Sequence, residues 1–179
     1  MLKLFTPKKY IKDYRHLDVK ELKKQGIRLI ICDIDNTLAA HDEAHPDEDV
    51  KRFVNQMKME GFDFCLISNN FSDRVTTFAK DLNVKTYAMA KKPLKITYRK
   101  IIKESGYQPA QIASIGDQIM TDIFGGNRAK IYTILTHPLV VRDLTSTKIN
   151  RKMENIVFHL LEKKGILKKG AYDEFKETL

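Results

Sequence analysis

The fold of this chain is decided by residues 28–38, which read RLIICDIDNTL. Residues 29–32 form a short apolar run rich in β-branched side chains, which is typical of a strand buried on both faces of a parallel sheet. The run ends abruptly at Asp33, and a second carboxylate, Asp35, follows it closely. Because ligands of open α/β sheets bind at the carboxyl ends of the strands, the sequence predicts a functional site at this point.

The spacing of these two acids indicates a cation site. In a regular strand, Asp33 and Asp35 would share one face, where two ionised carboxylates repel each other. A divalent cation would remove that repulsion, and oxygen ligands of this kind suit Mg²⁺. The alternative is a pair of solvated loop aspartates, which is a common arrangement but less favourable directly after a buried strand.

The length and composition of the chain indicate one globular domain. Its 179 residues are enough to bury a sizeable core. The sequence shows no internal repeat and no apolar segment of membrane-spanning length, and residues 1–10 contain no apolar signal-peptide core. Cys32 and Cys65 lie in apolar runs without the spacing of a zinc or redox site. These features favour reduced, buried thiols and a cytoplasmic location.

The net charge of +9 lies entirely in the two flanks of the chain. Residues 1–28 hold nine basic and three acidic side chains, residues 142–179 hold nine and six, and the intervening stretch is balanced. Such flanks can dock on anionic lipid, nucleic acid or the ribosome, so peripheral contact with a membrane surface or nucleic acid is one interpretation. The alternative is that these lysines are only solvated, since they form no clustered motif.

Apolar runs alternate with helical patterns along the chain, and no linker divides it. This alternation predicts an α/β fold with a doubly wound parallel sheet. The predicted strands cover residues 29–32, 62–67, 84–89, 112–115 and 131–135. Ahead of them we expect an irregular basic arm and a short helix that Asp18 caps and Gly26 ends.

The chain is expected to have three parts. They are an arm over residues 1–27 that packs on the domain, a core over residues 28–165 and a tail over residues 166–179. A closing helix over residues 147–164 is expected to bury one apolar face. That face comprises Ile149, Met153, Ile156, Val157, Leu160 and Leu161.

Polar residues follow three further predicted strands at their carboxyl ends. Ser68 and Asn69 follow the second strand, Lys91 and Lys92 follow the third, and the fourth leads into Gly116, Asp117 and Asp122. Each signal has a plain structural alternative when taken alone. The first pair shapes a turn, the lysines are surface residues, and Asp122 caps a short helix.

Taken in order, these signals resemble the motifs of the haloacid dehalogenase (HAD) superfamily of phosphotransferases. The sequences DIDNTL, SNN, AKKP and GDQIMTD are similar to those of YqeG-type phosphatases, members of the capless subfamily III that neighbour the mitochondrial phosphatidylglycerophosphate phosphatases. The resemblance covers residues 28–135 and implies a HAD-like, Rossmann-like three-layer sandwich. The gaps between the motifs each have room for one helix and one strand, so no cap domain is expected.

The resemblance also implies roles for individual residues. Asp33 would be the nucleophile that forms an aspartyl-phosphate, and Asp35 would be the general acid and then the base. Mg²⁺ would be bound by Asp33, by the main-chain carbonyl of Asp35 and by Asp117, while Asp122 would support the metal site from outside its direct ligands. Lys92 would neutralise charge at the transferring phosphoryl group. The phosphate-binding residues would be Ser68, Asn69 and Thr37.

The resemblance therefore implies a Mg²⁺-dependent phosphomonoester phosphatase whose open site takes a large or membrane-presented phosphate, for example a phospholipid such as phosphatidylglycerophosphate. Two alternatives stay open. One is a phosphatase for a soluble metabolite, a nucleotide or a phosphoprotein. The other is a HAD-scaffold binding protein for nucleic acid, the ribosome or a GTPase partner. His41 and His45 lie in the loop after the first motif and are interpreted as surface loop residues; the alternative is that they face the cleft.

Overall fold

A computed structural model describes residues 2–70, 72–140 and 148–173, apart from the side chains of residues 72 and 148–152. Its centre is a six-stranded sheet whose paired strands all run parallel, in the order β1-β6-β5-β2-β3-β4. The strands are β1 (Lys9–Ile11), β2 (Leu29–Asp33), β3 (Asp63–Ile67), β4 (Lys85–Tyr87), β5 (Ile112–Gly116) and β6 (Tyr132–Thr136). The strand order runs outward in both directions from β2, which confirms the predicted doubly wound α/β fold.

The connections between the strands are helical. The helices are α1 (Val19–Lys24), α2 (Glu48–Met59), α3 (Ser72–Leu82), α4 (Lys95–Ser105), α5 (Phe124–Arg128) and α6 (Lys148–Lys163). A π-helical turn, Ile119–Ile123, leads into α5. In the part of the chain that the structure describes, α2 is the helix between β2 and β3, and α3 is the helix between β3 and β4. The predicted absence of a cap domain at these two places is confirmed.

Both faces of β2 are buried, as its sequence predicts. Ile30 and Cys32 belong to a core cluster with residues of α2 and α3, such as Val54 and Phe78. The alternate residues of β2 belong to a second cluster on the other face, with Tyr98 and Ile101 of α4. A strand covered on both sides needs a continuous apolar run, and this is why residues 29–32 contain no polar side chain.

Helix α4 allows a matched test of this packing. We expect Ile101→Ala to lower the free energy of unfolding by about 2–5 kcal/mol, because Ile101 is only 1% exposed and its truncation leaves a cavity. Ile96→Ala, the same substitution on the same helix, should change it by less than about 0.5 kcal/mol because Ile96 is 66% exposed. Urea unfolding of both variants checks the difference; equal effects would contradict the assigned face of α4.

The N-terminal arm contains a strand that the sequence did not predict. Strand β1 pairs with β6 and buries Tyr10, but three residues are too few to show an alternating pattern. The predicted short helix of the arm is confirmed as α1. Its N-cap, Asp18, accepts a hydrogen bond from the N–H of Glu21 at 2.9 Å, and Gly26 follows the helix with a φ of 73°.

The end of the described chain lies along the outer edge of β1. The N–H of Tyr10 donates to the Asp173 carboxylate at 2.7 Å, and the N–H of Asp173 donates to the carbonyl of Tyr10 at 2.7 Å. The Tyr172 ring packs edge-on against the Tyr10 ring, with centroids 5.0 Å apart. These contacts satisfy backbone groups that an edge strand would otherwise expose. The division into arm, core and tail stays a prediction, and residues 174–179 lie outside the description.

Helix α6 buries less of its apolar face than its sequence predicts. Leu161 is fully buried and Val157 is partly buried, but Met153, Ile156 and Leu160 are 46%, 60% and 41% exposed. The helix is turned so that Leu161 and the acidic Glu154, not the centre of the apolar face, point inward. The side chain of Ile149 and the predicted helix start at residue 147 lie outside the described residues. None of the helices in the described ranges combines the length and apolar composition that a membrane span requires.

Candidate active site

The carboxyl ends of the strands bring the predicted site residues to one edge of the sheet. Asp33 is the last residue of β2, Ser68 directly follows β3, and Asp117 directly follows β5. The loop after β4 contributes Lys92. All four side chains are buried. Because the central strands are in parallel register, residues far apart in the sequence become neighbours here.

Lys92 bridges two carboxylates at the centre of this edge. Its Nζ atom lies 2.7 Å from Oδ1 of Asp33 and 2.7 Å from Oδ1 of Asp122. Burial alone would lower the pKa of Lys92, but Asp122 and Asp33 outweigh it and hold the pKa well above its usual value. The two carboxylates therefore favour the charged form of Lys92, whereas its neighbour Lys91 is exposed.

Three carboxylates surround this lysine in a geometry that suits a cation. Asp33, Asp117 and Asp122 each offer one carboxylate oxygen, and these atoms all lie within 4.8 Å of one another. Both oxygens of Asp117 are buried and have no hydrogen-bond partner among the described residues. Buried, unpartnered carboxylate oxygens are costly unless a ligand binds them, and oxygen atoms are the preferred ligands of Mg²⁺. The side chains present thus fit a divalent cation.

Electrostatics support the same conclusion. Burial raises the pKa of Asp33 to about 7, with Lys92 opposing the rise and Asp122 and Asp35 adding to it. Burial likewise raises the pKa of Asp117 well above its usual value, and the nearby Asp122, Asp33 and Glu154 add to the rise. One lysine does not balance this many carboxylates, so a cation that binds here would favour their ionised forms.

Asp122 reaches Lys92 because Gly116 leaves room for it. A Cβ atom on Gly116 would lie 2.3 Å from Cγ of Asp122, which no real contact allows. The other carboxylate oxygen, Oδ2, accepts hydrogen bonds from the N–H of Gln118 at 3.2 Å and from the hydroxyl of Thr121 at 3.2 Å. Asp122 therefore pairs with Lys92 and also binds the main chain at the start of the π-helical turn. It caps neither this turn nor α5, whose N-cap residues are Gln118 and Ile123, so the interpretation of Asp122 as a simple helix cap is wrong.

Asp35 has a different set of partners from the carboxylate cluster. Its Oδ2 atom accepts hydrogen bonds from Oγ of Ser68 at 3.1 Å and from Nδ2 of Asn70 at 2.9 Å. Its Oδ1 atom accepts from Nη1 of Arg74 at 2.7 Å and lies 3.3 Å from Nδ1 of His41. Asp35 is therefore held by residues outside the group of three clustered acids, and its main-chain carbonyl as a metal ligand stays a prediction.

The three predicted phosphate-binding residues differ in what they offer. Ser68 is fully buried, and its hydroxyl contacts Asp35. The hydroxyl of Thr37 is buried and finds no hydrogen-bond partner in the described ranges. The side chain of Asn69 binds the main chain of Lys92, with Oδ1 accepting from its N–H at 2.7 Å and Nδ2 donating to its carbonyl at 3.0 Å. The Asn69 side chain therefore fixes the backbone of Lys92, and a phosphate contact from Asn69 would fall to its main-chain N–H.

Sequence reasoning missed three polar partners of the site. Arg74 and Asn70 both contact Asp35. His41 does so too: it lies in a surface loop, as interpreted, with its side chain 37% exposed, and its Nδ1 atom faces Asp35. One signal was available for Arg74. It lies in the first turn of α3, where the helix dipole disfavours a cation, so a nearby carboxylate was to be expected.

Glu154 is the fourth missed residue. It lies on α6, is 8% exposed, and its Oε1 atom accepts a hydrogen bond of 2.6 Å from the N–H of Ile119. This contact attaches α6 to the turn that carries Asp122. A glutamate among the apolar residues of a closing helix was the available signal, because buried acids are rare without a partner.

Comparisons with known proteins identify the family of this chain. The family model described as haloacid dehalogenase-like hydrolase matches residues 6–130. A Bacillus subtilis protein named probable phosphatase YqeG is 31% identical over 163 residues, which cover 91% of this chain and 95% of that protein.

Two further proteins resemble part of the chain. The phosphatidylglycerophosphate phosphatase 1 of Arabidopsis thaliana, chloroplastic/mitochondrial, is 25% identical over 138 residues, which cover 72% of this chain but 40% of that protein. The cobalt-bound deoxy-D-mannose-octulosonate 8-phosphate phosphatase of Haemophilus influenzae has a similar fold. Its TM-score is 0.50 at 16% identity, and the match covers 80% of this chain and 92% of that one.

Proposed function

Because this chain belongs to the haloacid dehalogenase-like hydrolase family and is a phosphatase of that family, we propose that it hydrolyses phosphomonoesters in two steps, through an aspartyl-phosphate formed on Asp33. The observation that carries this proposal is the position of Asp33. It lies beside a charged lysine, Lys92, and near a carboxylate, Asp117, whose two oxygens are buried and have no hydrogen-bond partner among the described residues. These are the groups that an anionic nucleophile needs in order to approach an anionic phosphate.

In the first step, a carboxylate oxygen of Asp33 forms a bond to phosphorus while the bond to the leaving-group oxygen breaks. Asp35 supplies a proton to that oxygen. Lys92 offsets the negative charge of Asp33 and of the equatorial phosphoryl oxygens. The hydroxyls of Ser68 and Thr37, and the main-chain N–H of Asn69, orient the phosphoryl group.

In the second step, the roles of the two aspartates are reversed. Asp35 accepts a proton from a water molecule, whose oxygen forms a bond to phosphorus. The bond between phosphorus and Asp33 breaks, which releases inorganic phosphate and restores the carboxylate. Asp35 is then protonated again for the next cycle.

We propose Mg²⁺ as the cation of this site, held by Asp33, Asp117 and the main-chain carbonyl of Asp35, with Asp122 outside the direct ligands. When bound, Mg²⁺ would neutralise charge that develops on the phosphoryl oxygens. The unpartnered oxygens of Asp117 support this assignment, since a hydrogen-bonded carboxylate would have less need of a cation.

Removal of the metal tests this part of the proposal. Excess chelator should abolish phosphate release from 4-nitrophenyl phosphate, and added Mg²⁺ should restore it. Binding is measured separately, as the rise in melting temperature with Mg²⁺ concentration. Asp117→Asn should lose both the Mg²⁺-dependent rise in melting temperature and the activity. Asp63→Asn should keep both, because Asp63 begins β3 at the opposite edge of the sheet. Activity that persists in chelator would contradict the metal assignment.

For the substrate, we propose a phospholipid monophosphate such as phosphatidylglycerophosphate. Three observations support this class. The described residues between β2 and β4 hold no inserted cap, the Arabidopsis relative is named for such an activity, and the basic flanks can contact an anionic membrane. Phosphate release should be faster from phosphatidylglycerophosphate in anionic vesicles than from short-chain phosphate esters at equal concentration. The opposite ranking would favour a soluble metabolite.

A further inference from the structure

Arg74 binds three different groups around the site with one guanidinium. Its Nη1 atom donates to Oδ1 of Asp35 at 2.7 Å, Nη2 donates to the carbonyl of Ala40 at 2.7 Å, and Nε donates to the carbonyl of Glu43 at 2.7 Å. Its side chain is 19% exposed, and its guanidinium carbon lies 6.0 Å from the centre of the Phe78 ring. The planar fork of an arginine makes this three-way contact, which a lysine cannot reproduce.

These contacts connect Asp35 to the loop that follows it and to helix α3. The two carbonyls belong to the loop that follows Asp35, and Phe78 belongs to the core on α3. Asp35 itself lies in a loop and not in a strand, so its side-chain direction depends on such contacts. Only one of its oxygens is held by Arg74; the other faces Ser68 and Asn70. Arg74 therefore sets the direction of the carboxyl group without covering both of its oxygens.

We infer that Arg74 is a positioning residue for the proton transfer that Asp35 performs at the leaving group. The inference rests on the proposed function, because it requires Asp35 to be the general acid. Arg74 acts through Asp35 and not on the phosphoryl group. Substitution of Arg74 should therefore lower kcat/KM most for the substrate whose leaving group most needs a proton.

Three substrates separate this role from a structural one. They are 4-nitrophenyl phosphate, phenyl phosphate and glycerol 2-phosphate. The 4-nitrophenolate anion leaves without a proton, phenolate has a greater need of protonation, and the alkoxide from glycerol 2-phosphate has the greatest need. We expect Asp35→Ala to lower kcat/KM for glycerol 2-phosphate by about a hundredfold to ten-thousandfold, and for 4-nitrophenyl phosphate much less. Arg74→Met should follow the same order, with a loss of about a hundredfold on the alkyl ester.

The ratio of the rates on the three substrates is insensitive to partial misfolding of a variant. Each variant is compared across the three substrates within one preparation, so an inactive fraction lowers all three rates equally and leaves their ratio unchanged. Arg74→Lys keeps the charge without the fork and should show an intermediate ratio. The matched control is Arg52→Met, because Arg52 forms an exposed ion pair with Asp49 on α2; its ratio should equal that of the unsubstituted protein.

A double variant completes the test. In an Asp35→Ala background, Arg74→Met should cause no further substrate-dependent loss, since the group on which it acts is gone. If Arg74→Met alone lowers kcat/KM equally for all three substrates, or if the double variant shows a further loss that depends on the substrate, the role of Arg74 is overturned. If Asp35→Ala itself shows no dependence on the leaving group, the general-acid assignment fails, and that outcome is distinct from failure of Arg74 alone.

Discussion

Asp33→Asn is expected to lower phosphate release by about ten-thousandfold or more. The amide has nearly the same shape as the carboxylate, but it cannot form the acyl-phosphate bond. Lys92 would keep its second partner, Asp122, at 2.7 Å, so the site should stay assembled around the substitution. Phosphate release and hydroxylamine-sensitive covalent phosphate are the two measurements, and both should fall together.

The same substitution should leave the fold at least as stable as before. Burial raises the pKa of Asp33 to about 7, so the folded protein disfavours its ionised form relative to the unfolded chain. The contribution of this group to stability therefore falls as pH rises from about 4 through about 7. Asparagine does not ionise, so the variant does not lose this stability. In chelator at pH 8, the melting temperature of Asp33→Asn should equal or exceed that of the unsubstituted protein.

Asp63→Asn is the matched control for this prediction. Asp63 accepts one exposed hydrogen bond, from the Tyr107 hydroxyl at 2.8 Å, at the opposite edge of the sheet. Its substitution should leave turnover and the level of covalent phosphate unchanged. Full turnover by Asp33→Asn would refute the nucleophile assignment. A large fall in its melting temperature would show instead that the charge of Asp33 stabilises the fold.

Gly116→Ala should damage both stability and activity, although Gly116 contacts no substrate. Its new methyl carbon would lie 2.3 Å from Cγ and 2.6 Å from Cβ of Asp122, which is held in place by Lys92 and by the N–H of Gln118. One of these contacts must break. We expect a loss of about 1–3 kcal/mol in the free energy of unfolding. Displacement of Lys92 from its position beside Asp33 should also lower kcat by about a hundredfold.

Two further variants isolate the cause of that loss. Gly106→Ala introduces the same methyl group where no atom lies within 4 Å; because Gly106 has a φ of 74°, it should cost stability but leave kcat unchanged. Asp122→Gly removes the atoms that the new methyl carbon would meet. In that background, Gly116→Ala should cost much less stability than it does alone. An undiminished cost would place the clash elsewhere.

The sequence predicted the parts of the site in which two local signals coincide. Asp33 follows one continuous apolar run, and Asp117 follows another. In both cases, adjacent residues predict the strand and the polar residue at its carboxyl end. Their proximity in space then follows from the rule that parallel strands align their carboxyl ends. Ser68 was separated from an ordinary turn residue only by its place in the order of motifs that resembles the haloacid dehalogenase superfamily.

The remaining partners depend on contacts that no local pattern records. Arg74 reaches Asp35 because the loop over residues 39–45 folds back onto α3, and the path of a loop is not encoded in periodicity. In helix α6, by contrast, a local pattern was present but predicted the wrong buried face. Its apolar pattern predicts one buried face, yet Glu154 points inward because Ile119 offers it an N–H group, and the centre of the apolar face is left exposed.

The position of β1 has a consequence for the order in which the protein folds. Both neighbours of this strand, β6 and the segment at Asp173, belong to the second half of the chain, and Tyr10 is 163 residues from Asp173. On the ribosome, β1 emerges before both of its neighbours and must therefore wait for them. We expect the central strands to form the folding nucleus, with β1 docking late. Contacts of such long sequence separation slow the final step without affecting the first.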